Sequence, residues 1–411
     1  MERSVGNRLL RLKLANIFFG MAEAVFAYRV LFLDTHGLSA TSISYVMSAA
    51  NIVAVVMPML ASLLARKLKS KFKVFVGGVS LMLIACACMP SVAGVRVAGM
   101  MLGIIMIPMM TVCMNASMNM LESVSVTASV SYQGFDYSIV RICLAAGYTS
   151  ANFLFTPIVK ALGVNATFYI ACIYLVALLV FSGSVRDFEN VPPEIAEANA
   201  GTRRMEDGTP KDVYGNFYLM LFVCINIFYS IGGTISSYMV YLLQHIKADT
   251  SLVGTFTGAR VIGEIGMLFL MPWLRRHFSI PKLLVCAAVV ACVEMSLYQF
   301  VQSPAAVVAV SMMGGMARGL LLGNSLLYLR LMTPDNCESI TIALWLVSTS
   351  VCSLVGMLVF GPLVDNYGIL AVYRFALWAN IAWLVLFNGG YLFGKHVLKK
   401  PPIISFKGIS M

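Results

Sequence analysis

The chain has 411 residues, of which 60% are hydrophobic and 11% charged, and its mean hydropathy is +0.86. Soluble domains carry roughly a quarter charged residues, so a soluble enzyme, a disordered protein and a secreted disulfide scaffold are excluded. The net charge of +11 does not read as a nucleic-acid surface, because the basic residues gather in short clusters between apolar runs.

A helix that crosses a bilayer needs about 20 apolar residues. Apolar runs fall at 14–33, 42–65, 73–91, 94–120, 133–161, 165–183, 215–243, 251–274, 281–301, 304–332, 338–364 and 369–394. They predict an all-α polytopic membrane protein with twelve transmembrane helices. The first run has no small-residue cleavage motif after it and is expected to remain a helix. The polar stretch 184–214 holds seven acids, four bases and three prolines and reads as a cytoplasmic linker. It separates an N-terminal six-helix bundle (1–183) from a C-terminal one (215–394), which is followed by a basic tail (395–411). With the N-terminus inside, cytoplasmic segments hold 21 Lys and Arg and external segments four. Both termini are therefore expected in the cytoplasm.

Nine of the ten cysteines lie inside apolar runs without metal-ligand spacing and read as small apolar fillers. The 27 methionines read as packing. No metal and no cofactor is expected.

The two halves resemble each other. TPIVKALGVNATFY (156–169) and GPLVDNYGILAVYR (361–374) align without gaps at an offset of 205, matching Pro157 with Pro362, Gly163 with Gly368 and Phe168 with Tyr373. Arg66 and Arg275 lie 209 apart, and the N-cap residues Ser39 and Asp249 lie 210 apart. Together these point to a duplicated six-helix unit. Parallel repeats of this kind hold substrate near the membrane midplane.

FFGMAEAVFAYRVLFLDTHGLSATSIS (18–44) and GFDYSIVRICLAAGYTSANFLFTPIVKALG (134–163) carry a resemblance to the first and fifth helices of the major facilitator superfamily. The superfamily's basic loop, G-x-x-x-D-R/K-x-G-R/K-R/K, is degenerate in ASLLARKLKS (61–70). Arg66 and Lys69 remain, while Ala61, Ala65 and Leu68 replace Gly, Asp and Gly. The resemblance implies the major facilitator fold of two pseudo-symmetric six-helix bundles. It also implies a secondary transporter working by alternating access, not an enzyme, and a monomer in the cell membrane.

Ionisable groups at membrane depth are costly and by default mark a pathway or a relay. They are Glu23 and Arg29 in the first helix, Asp136 and Arg141 in the fifth, Arg260 and Glu264 in the eighth, Glu294 in the ninth and Arg318 in the tenth. The i,i+4 spacing of Arg260 and Glu264 puts both on one face, with Gly258, Gly263 and Gly266 beside them. Two readings compete for this pair: a structural salt bridge, or an acid that couples protons or binds substrate. GARVIGE (258–264) resembles the acid-bearing eighth helix of the sugar and nucleoside proton symporters, the lactose-permease-like branch. That resemblance implies proton coupling at Glu264, with Arg260 as its partner. Glu23 is the second coupling candidate. Arg141 would hold a substrate oxygen or a partner carboxylate, or else pair within its own helix with Asp136 or Tyr137. Arg318 has glycines on both sides and reads as a cavity wall. Glu294 reads more readily as a buried packing partner.

Amides and rings suit solute hydroxyls. Asn115, Asn119, Asn226, Tyr229, Asn324 and Trp345 therefore join Arg141, Arg260 and Arg318 as substrate-binding candidates. Single Asn residues in membrane helices also commonly bond a neighbouring helix. The chain is expected to be a proton-coupled transporter of a small polar solute such as a sugar, nucleoside or related metabolite. The alternative is a proton-antiport exporter of drugs or metabolites with the same fold.

Overall fold

The computed structural model describes residues 2–97, 100–131, 137–189, 210–333 and 338–399. The expectations for Asp136, for residues 190–209 of the linker and for the tail beyond 399 lie outside the described residues. Among those residues, eleven helices are long and apolar enough to cross a membrane. They become twelve if Asn165–Phe181 and Gly183–Glu189, bent by 41°, form one span.

In chain order the spans are Glu2–Glu23 continued by Arg29–Thr35, Ala40–Leu68, Lys71–Val92, Leu102–Ser131, Tyr137–Leu162, Asn165–Phe181, Phe217–Gly233 continued by Met239–His245, Val253–His277, Ile280–Leu297, Pro304–Leu331, Glu338–Tyr367 and Ile369–His396. They are called first to twelfth below. A two-residue ladder, Arg96–Val97 against Met100–Met101, connects the third to the fourth.

Several boundaries differ from the sequence expectation, among them the first span's start at Glu2 and the fourth's at Leu102. The fourth span continues past residue 120 to Ser131, because Ser117, Leu121, Val124 and Ala128 recur at helical spacing and are all buried. Gly183–Glu189 is helical, with Ser184, Val185 and Phe188 buried. Glu189 accepts hydrogen bonds from the Phe72 amide (2.8 Å) and the Ser70 hydroxyl (3.0 Å). It therefore sits where the third span's unpaired N–H groups need an acceptor.

The chain forms two compact units: Met1–Thr202 with Asp249–Gly258 (unit 1), and Arg203–Ala248 with Ala259–Met411 (unit 2). In unit 1 the first span lies against the fifth and sixth, and the fourth against the second and third. In unit 2 the seventh lies against the eleventh and twelfth, and the ninth against the tenth and twelfth. The core of unit 2 includes Phe222, Tyr328, Trp383 and Phe387, with the last two rings stacked at 4.8 Å. Met59, Leu60 and Leu63 of the second span and Phe269, Leu270 and Trp273 of the eighth are exposed. An apolar outer surface of this kind is what a bilayer covers.

The duplication read from the sequence recurs in the backbone. The first span breaks into a 3-10 turn at Ala24–Tyr28 and the seventh at Thr234–Tyr238, 210 residues later. The turns that follow repeat the same bonds: Gly37 N to Asp34 O and Lys247 N to Gln244 O, both with positive φ at the donor residue. At the offset of 205, Gly163 and Gly368 have φ of 80° and 76° and donate to Val159 O and Val364 O. Ser39 and Asp249 are N-caps, accepting from the amides of Ser42 and Ser251.

Candidate functional site

Unit 2 gathers four of the membrane-depth charges. Arg260 and Glu264 stand one turn apart on the eighth span. Across from them the tenth span presents Gly314, Gly315, Arg318 and Gly319, and the ninth contributes Glu294. The contact needs glycine. A Cβ at Gly315 would collide with Arg260 O, one at Gly263 with Met312 O, and one at Gly319 would lie 2.8 Å from Glu264 O. The Glu294 carboxylate occupies the space that a side chain at residue 314 would fill.

The ion pairs are not the intrahelical one read from the i,i+4 spacing. Arg260 Nη1 donates to Glu294 Oε1 at 2.9 Å, with side-chain exposures of 12% and 1%. Arg318 Nε lies 3.5 Å from Glu264 Oε2, with exposures of 55% and 20%. Absence of a side chain at Gly314 admits the ninth-span acid, so Arg260 binds there and Glu264 turns to the tenth span. Glu294 is thus buried between spans, as a packing partner would be, and is at the same time a member of the charge cluster. The four residues alternate in sign, Glu294, Arg260, Glu264, Arg318, from a closed end to an open one. Arg260 Nε is buried and has no hydrogen-bond partner among the described residues. The Tyr229 hydroxyl lies within electrostatic range of all four. Tyr298, which shares a 2.8 Å hydrogen bond with Ser311, lies tilted against Tyr373 with ring centroids 4.8 Å apart.

Unit 1 holds a second pair. Arg141 of the fifth span bonds Glu122 of the fourth, with exposures of 52% and 36%. This partner is on a neighbouring span; Asp136 and the Tyr137 side chain, the alternatives on its own helix, lie outside the described residues. Glu122 escapes a hydropathy reading because the apolar run stops at 120; the buried positions 117, 121, 124 and 128 are the signal that keeps it in the membrane helix. Glu23 and Arg29 flank the 3-10 break of the first span. The Arg29 guanidinium lies 5.8 Å from the Phe26 ring and in the field of Tyr148 and Glu23.

The uncharged candidates divide. Asn119 donates to Pro58 O (2.7 Å) and Ser62 Oγ (2.9 Å), tying the fourth span to the second. Asn324 donates to Leu320 O and to the Met271 sulfur and accepts from Arg275, tying the tenth span to the eighth. Asn115 bonds back to Thr111 O at 2.8 Å. By contrast Asn226 Oδ1 and Trp345 Nε1 are buried without a partner among the described residues. Unbonded buried polar atoms are costly, which marks these two as groups that a solute or water can satisfy.

The family described as "MFS_1 like family" matches residues 9–385. No curated protein matches the sequence. Among solved structures the fold is similar to a mutant of the nucleoside transporter NupG, at 15% identity and a TM-score of 0.74, covering 93% of this chain and 98% of that one. It is also similar to the POT family transporter PepTSo, at 10% identity and a TM-score of 0.68, covering 94% and 98%. A POT family transporter in complex with 5-aminolevulinic acid matches at 12% identity and a TM-score of 0.69, covering 95% and 96%.

Proposed function

We propose a proton-coupled mechanism for this chain, which belongs to the MFS_1-like family and is a multi-pass membrane transporter of a small-molecule substrate. In this reading it moves a polar solute, a nucleoside, sugar or related metabolite, together with protons by alternating access. It works as a monomer in the cell membrane with both termini in the cytoplasm. The observation that carries the coupling is the alternating charge chain of unit 2. Its open end, Glu264 with Arg318, is the part that a solute and a proton can reach.

Glu264 is the coupling acid of this scheme, with Glu23, at the break of the first span, the next candidate. Arg141 with Glu122 and Arg318 with Glu264 are half-open pairs whose guanidinium forks suit solute oxygens. Arg260 orients the buried end. Asn226, Tyr229 and Trp345 offer the polar atoms and ring faces that a sugar or base would use, while Asn115, Asn119 and Asn324 act through the helices they tie. A solute that competes for Arg318 changes the field at Glu264, so solute binding and proton binding are linked.

The deciding experiment is uptake into proteoliposomes with an imposed proton gradient. Glu264→Gln mimics the protonated acid and is expected to abolish uphill accumulation while sparing solute exchange. Accumulation by that variant against a gradient removes Glu264 as the coupling acid. Thermal stabilisation over a solute panel identifies the substrate class. Nucleosides stand first in the panel because NupG is a nucleoside transporter, and small peptides stand second. Orientation is tested by labelling: a cysteine placed at position 36 or 247 should react from outside, and one at 68 should not.

A further inference from the structure

Four buried polar atoms lie along the seam between the seventh, eleventh and twelfth spans. Asn226 Oδ1, Asn380 Oδ1, Trp345 Nε1 and Trp383 Nε1 have no hydrogen-bond partner among the described residues. Their side chains are enclosed, from 0% exposure at Asn226 and Trp383 to 8% at Trp345. One unbonded buried atom is already costly, so a seam that keeps four of them needs a ligand to account for it.

Contacts between the spans fix the order of these atoms. The Phe222 and Phe387 rings meet edge to face at 6.3 Å, and a Cβ at Gly232 would lie 3.1 Å from the Asn380 amide. The seventh and twelfth spans therefore run antiparallel, and Asn226 comes opposite Trp383. The seventh and eleventh run parallel, since Thr234 lies against Gly356 and Tyr238 against Phe360. Trp345, eleven residues before Gly356, comes level with Val223, about one turn from Asn226. Trp345 and Trp383 belong to one buried cluster with Phe222 and Val223. Asn380 closes the row at the other end, just before the 3-10 break of the seventh span at Thr234–Tyr238.

We infer that this seam is a binding site for ordered water, held by Asn226, Asn380, Trp345 and Trp383. The chemistry of the four groups selects the ligand. An indole N–H only donates and an amide oxygen only accepts, so the row offers two donors and two acceptors. No donor among them reaches an acceptor, and a molecule that both donates and accepts can join them. Water does both, and a buried water makes about three hydrogen bonds. The enclosure of Asn380 and Trp383 keeps anything larger away from them. A solute that reaches Asn226 or Trp345 takes over bonds that water holds in its absence. The site stands whether or not transport is coupled to protons.

The test is synchrotron radiolysis of the purified full-length protein, in which hydroxyl radicals formed from bound water oxidise the side chains beside it. Trp383 is read by peptide mass spectrometry against Phe360, an equally enclosed ring whose aromatic neighbours are Tyr238 and Phe375. After correction for the intrinsic reactivity of each ring, Trp383 should be oxidised several-fold faster than Phe360. Equal rates describe a dry seam and overturn the inference. In the double variant Asn226→Val with Asn380→Val, which removes both acceptors, the excess at Trp383 should be lost. An excess that survives while Phe360 stays protected overturns the assignment of the two amides. A second measurement needs no variant, so it decides even where the double variant fails to fold. With 15N-labelled indoles, the enclosed N–H groups of Trp345 and Trp383 should show an Overhauser contact to water in the nuclear magnetic resonance spectrum. No contact at either overturns the inference.

Discussion

Each unit contains an arginine paired with a glutamate from a neighbouring span, yet the two pairs live in opposite surroundings. Arg260 with Glu294 in unit 2 is enclosed, at 12% and 1% exposure, whereas Arg141 with Glu122 in unit 1 is open, at 52% and 36%. An enclosed pair is fixed by what its loss would leave behind. Removing one partner strands a charge away from solvent, so both members must be kept together. An open pair can be hydrated, and its members can separate without such a penalty. The same two residue types therefore hold helices in one place and remain available for exchange in the other.

The largest expected difference follows from breaking each pair. Glu294→Leu removes the carboxylate that Arg260 bonds and should destabilise the protein by about 3–5 kcal/mol. Glu122→Leu should stay within about 1 kcal/mol while reducing transport. Thermal unfolding in detergent reads the first effect and proteoliposome uptake the second. Similar losses of stability in the two variants would remove the distinction between the units.

A smaller effect tests the glycines. Gly314→Ala puts a methyl group into the Glu294 carboxylate, while Gly20→Ala in unit 1 puts one into the Leu144 carbonyl of the fifth span. Both should cost about 1–3 kcal/mol in thermal unfolding. Only Gly314→Ala should also change the pH dependence of transport, since only there is the obstructed group titratable.

The duplicated turns sharpen the comparison by predicting equality. Gly163→Ala and Gly368→Ala each place a side chain at positive φ, with nothing else nearby to clash. Each should lose about 1–2 kcal/mol of stability, and the two losses should match.

The smallest effect separates the two N-caps. Ser39→Ala and Asp249→Ala should each cost about 1 kcal/mol, but only the second loss should depend on pH. The Ser251 amide bonded to the Asp249 carboxylate holds it below its ordinary value of 3.8. A depressed folded-state value gives stability that is present above the ordinary value and disappears as pH falls through the depressed one. The difference between wild type and Asp249→Ala should accordingly vanish in strong acid, whereas the Ser39→Ala difference should not.

Much of the fold was legible because it depends on local or periodic features. Apolar run length places the spans, and the Pro157–Gly163 and Pro362–Gly368 segments announce the same helix exit twice. The charges themselves were legible too, since an Arg or Glu inside an apolar run stands out. Their partners were not. The spacing of Arg260 and Glu264 fits an intrahelical pair as well as it fits the observed arrangement, and the choice is made by a missing side chain on another helix, at Gly314. Glu122 was hidden for a different reason: its helix continues on a buried face while average hydropathy declines, so a window average ends the span too early. The amides show a third limit. Asn119 and Asn226 look alike in sequence, and only three-dimensional placement gives one a carbonyl and leaves the other's oxygen unbonded.

The glycine face of the tenth span also has a mechanical consequence. Where side chains interdigitate, one helix passes another in jumps of a turn, because each ridge must climb out of its groove. Between the eighth and tenth spans, Gly263, Gly315 and Gly319 set backbone against backbone, so there is little ridge to climb. Such a contact resists separation more than it resists sliding, and a shift of about 1.5 Å, the rise of one residue, would move Arg260 and Glu264 together relative to Arg318. The residues that let the charges approach thus also make this contact a bearing.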